Sequence, residues 1–147
     1  MLDVAYEAVE DLPPGRLAQI DEGKGLIRVR LDKNEALARV VAQLNLEIDQ
    51  LMSSSHWFQL WKNEIVSRAT PGCPLRIRYV FRDWAPNEPA VAEDRGVITV
   101  YINPSLTTEQ FAAAMNPATE KQLAAGHWFQ LHDGEIIDNA PEPMSQV

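Results

Sequence analysis

The chain is short of several residue types, and each shortage removes a class of protein. A single cysteine, Cys73, stands in 147 residues, so no intrachain disulfide can form. No apolar run approaches the roughly 20 residues that a membrane-spanning helix needs. The opening residues, MLDVAYEAVEDLPPG, have neither the basic segment nor the apolar stretch of a secretory signal. The expectation is a cytoplasmic protein with no membrane association. Basic residues are outnumbered 13 to 21, giving a net charge of −8. Nucleic-acid-binding domains carry the opposite balance, so nucleic acid is not an expected partner. The chain has no G-x-G-x-x-G, no phosphate-binding loop and no G-x-S-x-G. Cys73 sits between Gly72 and Pro74, a poor setting for a nucleophile. Three histidines without cysteine partners give no zinc spacing, and no metal or cofactor is expected.

What the chain does have is a repeated pentapeptide. HWFQL occurs as His56-Trp57-Phe58-Gln59-Leu60 and again as His127-Trp128-Phe129-Gln130-Leu131. Sliding the sequence over itself by 71 positions also aligns Gly25 with Gly96, Ile27 with Ile98, Val29 with Val100, Asn45 with Asn116 and Glu64-Ile65 with Glu135-Ile136. Of the 44 pairs from 25/96 to 68/139, 12 are identical without a gap. The spacing implies two tandem units, 1–71 and 72–138, joined at a Pro- and Gly-containing turn, with 139–147 as a flexible tail. Two small units gain by burying a common interface, so a pseudo-twofold pair is expected.

Periodicity gives each unit an α+β reading. Leu75, Ile77, Tyr79 and Phe81 alternate with Arg76 and Arg78, as do Ile27, Val29 and Leu31 with Arg28 and Arg30. Such alternation marks half-buried strands. GVITVYINP repeats the pattern through Ile98, Val100 and Ile102. Leu37, Val40, Val41, Leu44, Ile48, Leu51 and Met52 then form a helical stripe, matched by Phe111, Ala112, Met115 and Leu123. Asp32 and Glu35, and Thr107 and Gln110, have capping-box spacing. Pro117 predicts a kink or a second short helix, and Gly126 a helix stop. Asp133-Gly134 predicts a hairpin turn. The expected unit is β-β-α-β-β, with a helix on one face of a mostly antiparallel sheet.

HWFQL has two readings. It is a packing anchor that locks the helix end to the sheet, or His56, Trp57 and Phe58 line an aromatic groove with His127, Trp128 and Phe129. If the pseudo-twofold axis brought His56 and His127 together, His132 could join them. Arg28, Arg30, Arg76, Arg78 and Arg82 form a basic stripe on the sheet faces opposite the helices. That stripe either is solvated or meets an acidic partner or a second subunit.

LPPGRLAQIDEGKGLIRVRLDKNEALARVVAQLNLEIDQL runs turn, strand, turn and amphipathic helix, and APNEPAVAEDRGVITVYINPSLTTEQ does the same. About 40 residues of each copy thus resemble the small zinc-metallopeptidase domain of the ImmA/IrrE type. There, a strand ending in residues like Ile102-Asn103-Pro104 leads to a helix bearing HExxH. At that place copy one has Leu46-Glu47-Ile48-Asp49-Gln50 and copy two Pro117-Ala118-Thr119-Glu120-Lys121. Only Glu47 matches, as the general base and not a ligand. The resemblance therefore implies a non-catalytic descendant, because zinc needs three protein ligands. By its place in the helix, Glu47 is expected to be a solvated carboxylate.

The functional expectation is a non-enzymatic binding or regulatory protein working through contact with another protein, with a homodimer as one open arrangement. Two alternatives stand beside it. One is a small metal- or ligand-dependent enzyme using histidines between the repeats. The other is an acidic decoy of a nucleic-acid-binding protein.

Overall fold

Alternating apolar residues set the strands and a helical stripe sets each helix, and the two patterns follow one another twice. The computed structural model describes residues 2–54, 56–61, 64–68, 72, 75–85, 87–94 and 96–138. Cys73, the prolines of the central turn and the tail 139–147 lie outside the described residues. The first half runs β1 (Asp3–Val9), β2 (Ala18–Gly23), β3 (Leu26–Asp32), α1 (Leu37–Ser54), β4 (Trp57–Trp61) and β5 (Glu64–Ser67). The second runs β6 (Arg76–Phe81), β7 (Ala90–Asp94), β8 (Val97–Ile102), α2 (Thr108–Ala125), β9 (His127–His132) and β10 (Glu135–Asp138). The protein is α+β.

The strands form three sheets, ordered β1-β3-β2, β6-β8-β7 and β10-β9-β4-β5. In the first two, the outer strands flank the middle one in opposite senses: β1 is parallel to β3 and β2 antiparallel, and β6 and β7 repeat this around β8. The ladders of the third sheet are antiparallel throughout.

Each half thus has one strand more than the expected β-β-α-β-β. The additional strands are β2 and β7, and the first half's β1 was equally unmarked by the sequence. AQIDEG and AVAED bear little apolar alternation. They are edge strands, held mainly by one ladder, and an edge strand needs few buried side chains.

The buried sides of β3 and β8 are Ile27, Val29 and Leu31, and Ile98, Val100 and Ile102. In α1, the stripe from Leu37 to Met52 is buried as its spacing requires. Thr107 and Gln110 close a full capping box on α2. Asp32 makes no such box, because α1 begins only at Leu37; its carboxylate instead accepts the Asn34 N–H at 2.9 Å inside the connecting turn. Pro117 neither divides nor ends α2, which runs from Thr108 to Ala125. Its ring and Ala113, one turn earlier, are both exposed, so the carbonyl that loses its partner faces water. Gly126 caps α2 in an extended conformation, donating its N–H to Gln122 O at 3.2 Å. At the β9–β10 turn, Asp133 and Gly134 both take positive φ, at 49° and 79°. That backbone is the type I′ hairpin the dipeptide favours.

The two halves share one core. A single buried cluster joins Val29, Leu31, Leu44 and Trp57 to Ile98, Ile102, Phe111 and Trp128. Each helix packs across the halves: α1 lies against β2 and β6, and α2 against β1.

Candidate functional site

The repeated pentapeptide is the strand through which the halves pair. Trp57 faces Gln130, Phe58 faces Phe129, Gln59 faces Trp128 and Leu60 faces His127. A strand presents successive side chains to opposite faces, so HWFQL is divided between two environments. Trp57, Gln59, Trp128 and Gln130 point inward and are each 5% exposed or less. Phe58, Leu60, Phe129 and Leu131 lie on the outer face. The six residues considered as one aromatic groove therefore do not share a surface.

On the inner side, a polar cluster supports the pairing. Gln130 donates to Glu22 Oε2 at 3.1 Å and to Gly23 O at 2.9 Å, and its Oε1 accepts the Gly25 N–H at 2.6 Å. The Trp57 indole N–H also donates to Glu22. In the other half, Glu93 accepts from the amides of Gln59 and Gln122. Burial raises the pKa of the Glu93 carboxyl above its ordinary value. Gln130 and Gln59 thus each cross from their own half to a glutamate near the end of the other half's edge strand, while Gln122 joins Glu93 from within the same half.

Two further contacts cross the same interface reciprocally. Asn45 of α1 donates to Tyr79 O at 3.0 Å and accepts from Tyr79 N at 2.9 Å. Asn116 of α2 does the same for Tyr6, at 3.1 Å and 2.8 Å. The two tyrosine hydroxyls hydrogen-bond to each other. Phe111 meets both rings edge-on, with centroids at 6.2 Å. Burial pushes the Tyr6 pKa up to about 12 and that of Tyr79 well above the usual phenol value. Sequence comparison aligned Asn45 with Asn116 without indicating a role; only their placement opposite an edge strand reveals it.

The outer face of the central sheet carries Phe58, Leu60, Ile65, Phe129, Leu131 and Ile136. Ile65 and Ile136 are 63% and 72% exposed. Phe58, Ile65, Phe129, Gln130, Leu131 and Ile136 line a hollow of about 330 Å³. The ladders put Ile65 beside Leu60 and Ile136 beside Leu131, at opposite corners of the face.

His56 and His127 are not neighbours. Leu131 N donates to His56 O, whereas His127 faces Leu60. The two lie at opposite ends of the β4–β9 ladder, about 13 Å apart along the strand. The His127 side chain is outside the described residues. His132 lies 3.4 Å from Asp133 at the hairpin turn. Among the described residues, no three His, Cys, Asp or Glu side chains come together as a metal site.

The five arginines occupy two separate sheets. Arg28 pairs with Glu7 at 2.6 Å and Arg30 with Asp11 at 2.8 Å. Arg76, Arg78 and Arg82 are exposed on the other sheet and its continuation. Glu47, expected to be solvated, is 12% exposed and paired with Arg16 at 2.7 Å. The Gln43 amide donates to the same oxygen at 3.2 Å. The loop before β2 delivers Arg16 to the helix, a contact no helical pattern could show.

No family model matches this chain, no curated protein matches it, and no solved structure matches its fold. No helix among the described residues is long and apolar enough to cross a membrane.

Proposed function

We propose that this is a non-enzymatic binding protein that works in the cytoplasm through protein–protein contact. Its two β-β-β-α-β-β halves descend from one unit and pack as a pseudo-twofold pair, as two subunits of a homodimer would. Support comes from the reciprocal Asn45–Tyr79 and Asn116–Tyr6 contacts and from a β4–β9 register centred on Phe58 and Phe129.

The contact surface is the outer face of the central sheet, and its occupant is a second copy of the chain. The observation that carries this reading is the exposure of Ile65 and Ile136 at opposite corners of an apolar sheet face. An apolar face can pack against the same face of a second copy, which is what an isologous interface requires. Four strands at about 4.8 Å spacing and about five residues long offer roughly 300 Å² of sheet per copy. That is below the standard interface size, so association is weak and concentration-dependent.

Sedimentation velocity over a range of concentrations tests it. The expected result is a monomer–dimer equilibrium that Ile65→Glu with Ile136→Glu abolishes while the monomer stays folded. A wild-type chain that remains monomeric at about 100 μM, where weak dimers form, would refute the second-copy reading.

A further inference from the structure

The outer faces of the β1-β3-β2 and β6-β8-β7 sheets share one layout and carry opposite chemistry. Their ladders define equivalent positions: Asp3 and Arg76, Ala5 and Arg78, Glu7 and Val80 on the parallel edge strands; Arg28 and Thr99, Arg30 and Tyr101 on the middle strands. On the third strands, Asp21 stands opposite Arg28 where Ala92 stands opposite Thr99, and Asp94 stands opposite Val97. The first face therefore holds Asp3, Glu7 and Asp21 against Arg28 and Arg30, a net −1. The second holds Arg76 and Arg78 against Asp94 alone, a net +1; just beyond the strand end, Arg82 and Asp83 add charges of opposite sign.

The first face is internally neutralised. Arg28 is held by Glu7, Arg30 by Asp11, and Lys33 by Glu10 at 3.2 Å. On the second, no carboxylate among the described residues pairs with Arg76, Arg78 or Arg82. Asp94 is two strands away from Arg76, at roughly 10 Å. Next to these arginines stands an aromatic pair. Trp84, 66% exposed, packs on Tyr101 with centroids 5.3 Å apart, and the Arg82 guanidinium lies 5.8 Å from the Tyr101 ring centre. In a chain of net charge −8, this is a basic surface with an apolar anchor at one end.

We propose that the outer face of the β6-β8-β7 sheet docks an acidic, extended peptide segment of a partner protein. Arg76 and Arg78 are two residues apart on one face of a strand, about 7 Å. An extended peptide with acidic side chains at alternate positions has the same spacing, so each guanidinium can take one carboxylate in a forked pair. An apolar side chain four residues further along reaches the level of Arg82 and packs on Trp84 and Tyr101. A short peptide stays within the patch. A nucleic-acid strand would run beyond it into the negative remainder of the protein, within the Debye length of about 8 Å at physiological salt.

The test is fluorescence anisotropy on the full chain. The probe is a labelled peptide with two glutamates separated by one alanine and a leucine four residues beyond the second. Binding is expected to weaken with salt. Arg76→Glu with Arg78→Glu should weaken it at least about tenfold, and Trp84→Ala should weaken it with less change in salt dependence. Arg28→Ala, on the neutralised face, should leave it unchanged, as should the Ile65→Glu and Ile136→Glu pair. All substituted positions are exposed, and unchanged thermal unfolding verifies the fold. Equal binding by the double arginine variant, no binding at about 1 mM peptide, or tighter binding of a single-stranded oligonucleotide of equal length would each overturn the proposal.

Discussion

Phe58 faces Phe129 across the β4–β9 ladder, and the neighbouring pairs exchange about that point: Trp57 opposes Gln130 as Gln59 opposes Trp128. An antiparallel ladder formed by two copies of one strand can be symmetric only about a residue paired with its own equivalent. HWFQL thus meets its own copy across the ladder. Every second residue must seal a shared core, and every partner across the ladder must be compatible with that same sequence read in reverse.

This symmetry implies that covalent continuity between the halves is dispensable. Residues 1–71 and 72–147, coexpressed as separate chains, are expected to purify as a one-to-one complex with the circular dichroism spectrum of the intact protein. Two chains that never associate would show that the pairing depends on the connection.

Asn45 and Asn116 close the outer edges of β6 and β1, where each engages a tyrosine backbone N–H and C=O. Either Asn→Ala change leaves two backbone groups unpaired, at about 1–3 kcal/mol per group. A loss of about 2–6 kcal/mol is expected in urea unfolding for each. An uncovered strand edge also invites aggregation, readable by light scattering. A loss under about 0.5 kcal/mol, typical of an ordinary surface site, would show that the bridges contribute nothing.

Gly126 is required for space. A Cβ at this position would lie 2.6 Å from Trp128 Nε1, while the glycine's own φ is −112°, which other residues adopt freely. Gly126→Ala is expected to displace the buried indole and cost about 1–3 kcal/mol, as overpacking does. The Trp fluorescence maximum should shift with it. An unchanged urea midpoint would mean that the indole yields without cost.

The paired tyrosines make stability alkali-sensitive. With the folded pKa of Tyr6 at about 12 and that of Tyr79 well above 10, the native state retains protons that the unfolded chain releases near pH 10. Their contribution is complete below that pH and is lost as pH rises toward and through the folded values. The urea midpoint should therefore fall on moving from pH 9 to pH 11, and Tyr6→Phe should reduce the slope. A midpoint equally pH-dependent in the variant would locate the titration elsewhere.

Particular residues show how far the sequence could be read. The stripes of α1 and the alternation of β3 and β8 were legible because one side of each element meets the core, and burial imposes periods of 3.6 and 2. β2 and β7 were not, since an edge strand is specified largely by backbone hydrogen bonds, which any residue but proline can donate. Asp32 and Glu35 had the spacing of a cap, yet the strand kept Asp32. Glu47 looked solvated until the loop carrying Arg16 was placed beside it.

The sequence by itself determined the repeat, the class of elements and which face of each is apolar, because local sterics and burial act on neighbours along the chain. Only the tertiary structure decided what those faces meet. It set HWFQL against its own copy, sent Asn45 and Asn116 across to the opposite halves, and neutralised Arg28 and Arg30 while leaving Arg76 and Arg78 with no carboxylate partner among the described residues. Such contacts join residues tens of positions apart, and no local pattern encodes the geometry of a partner that only folding brings near.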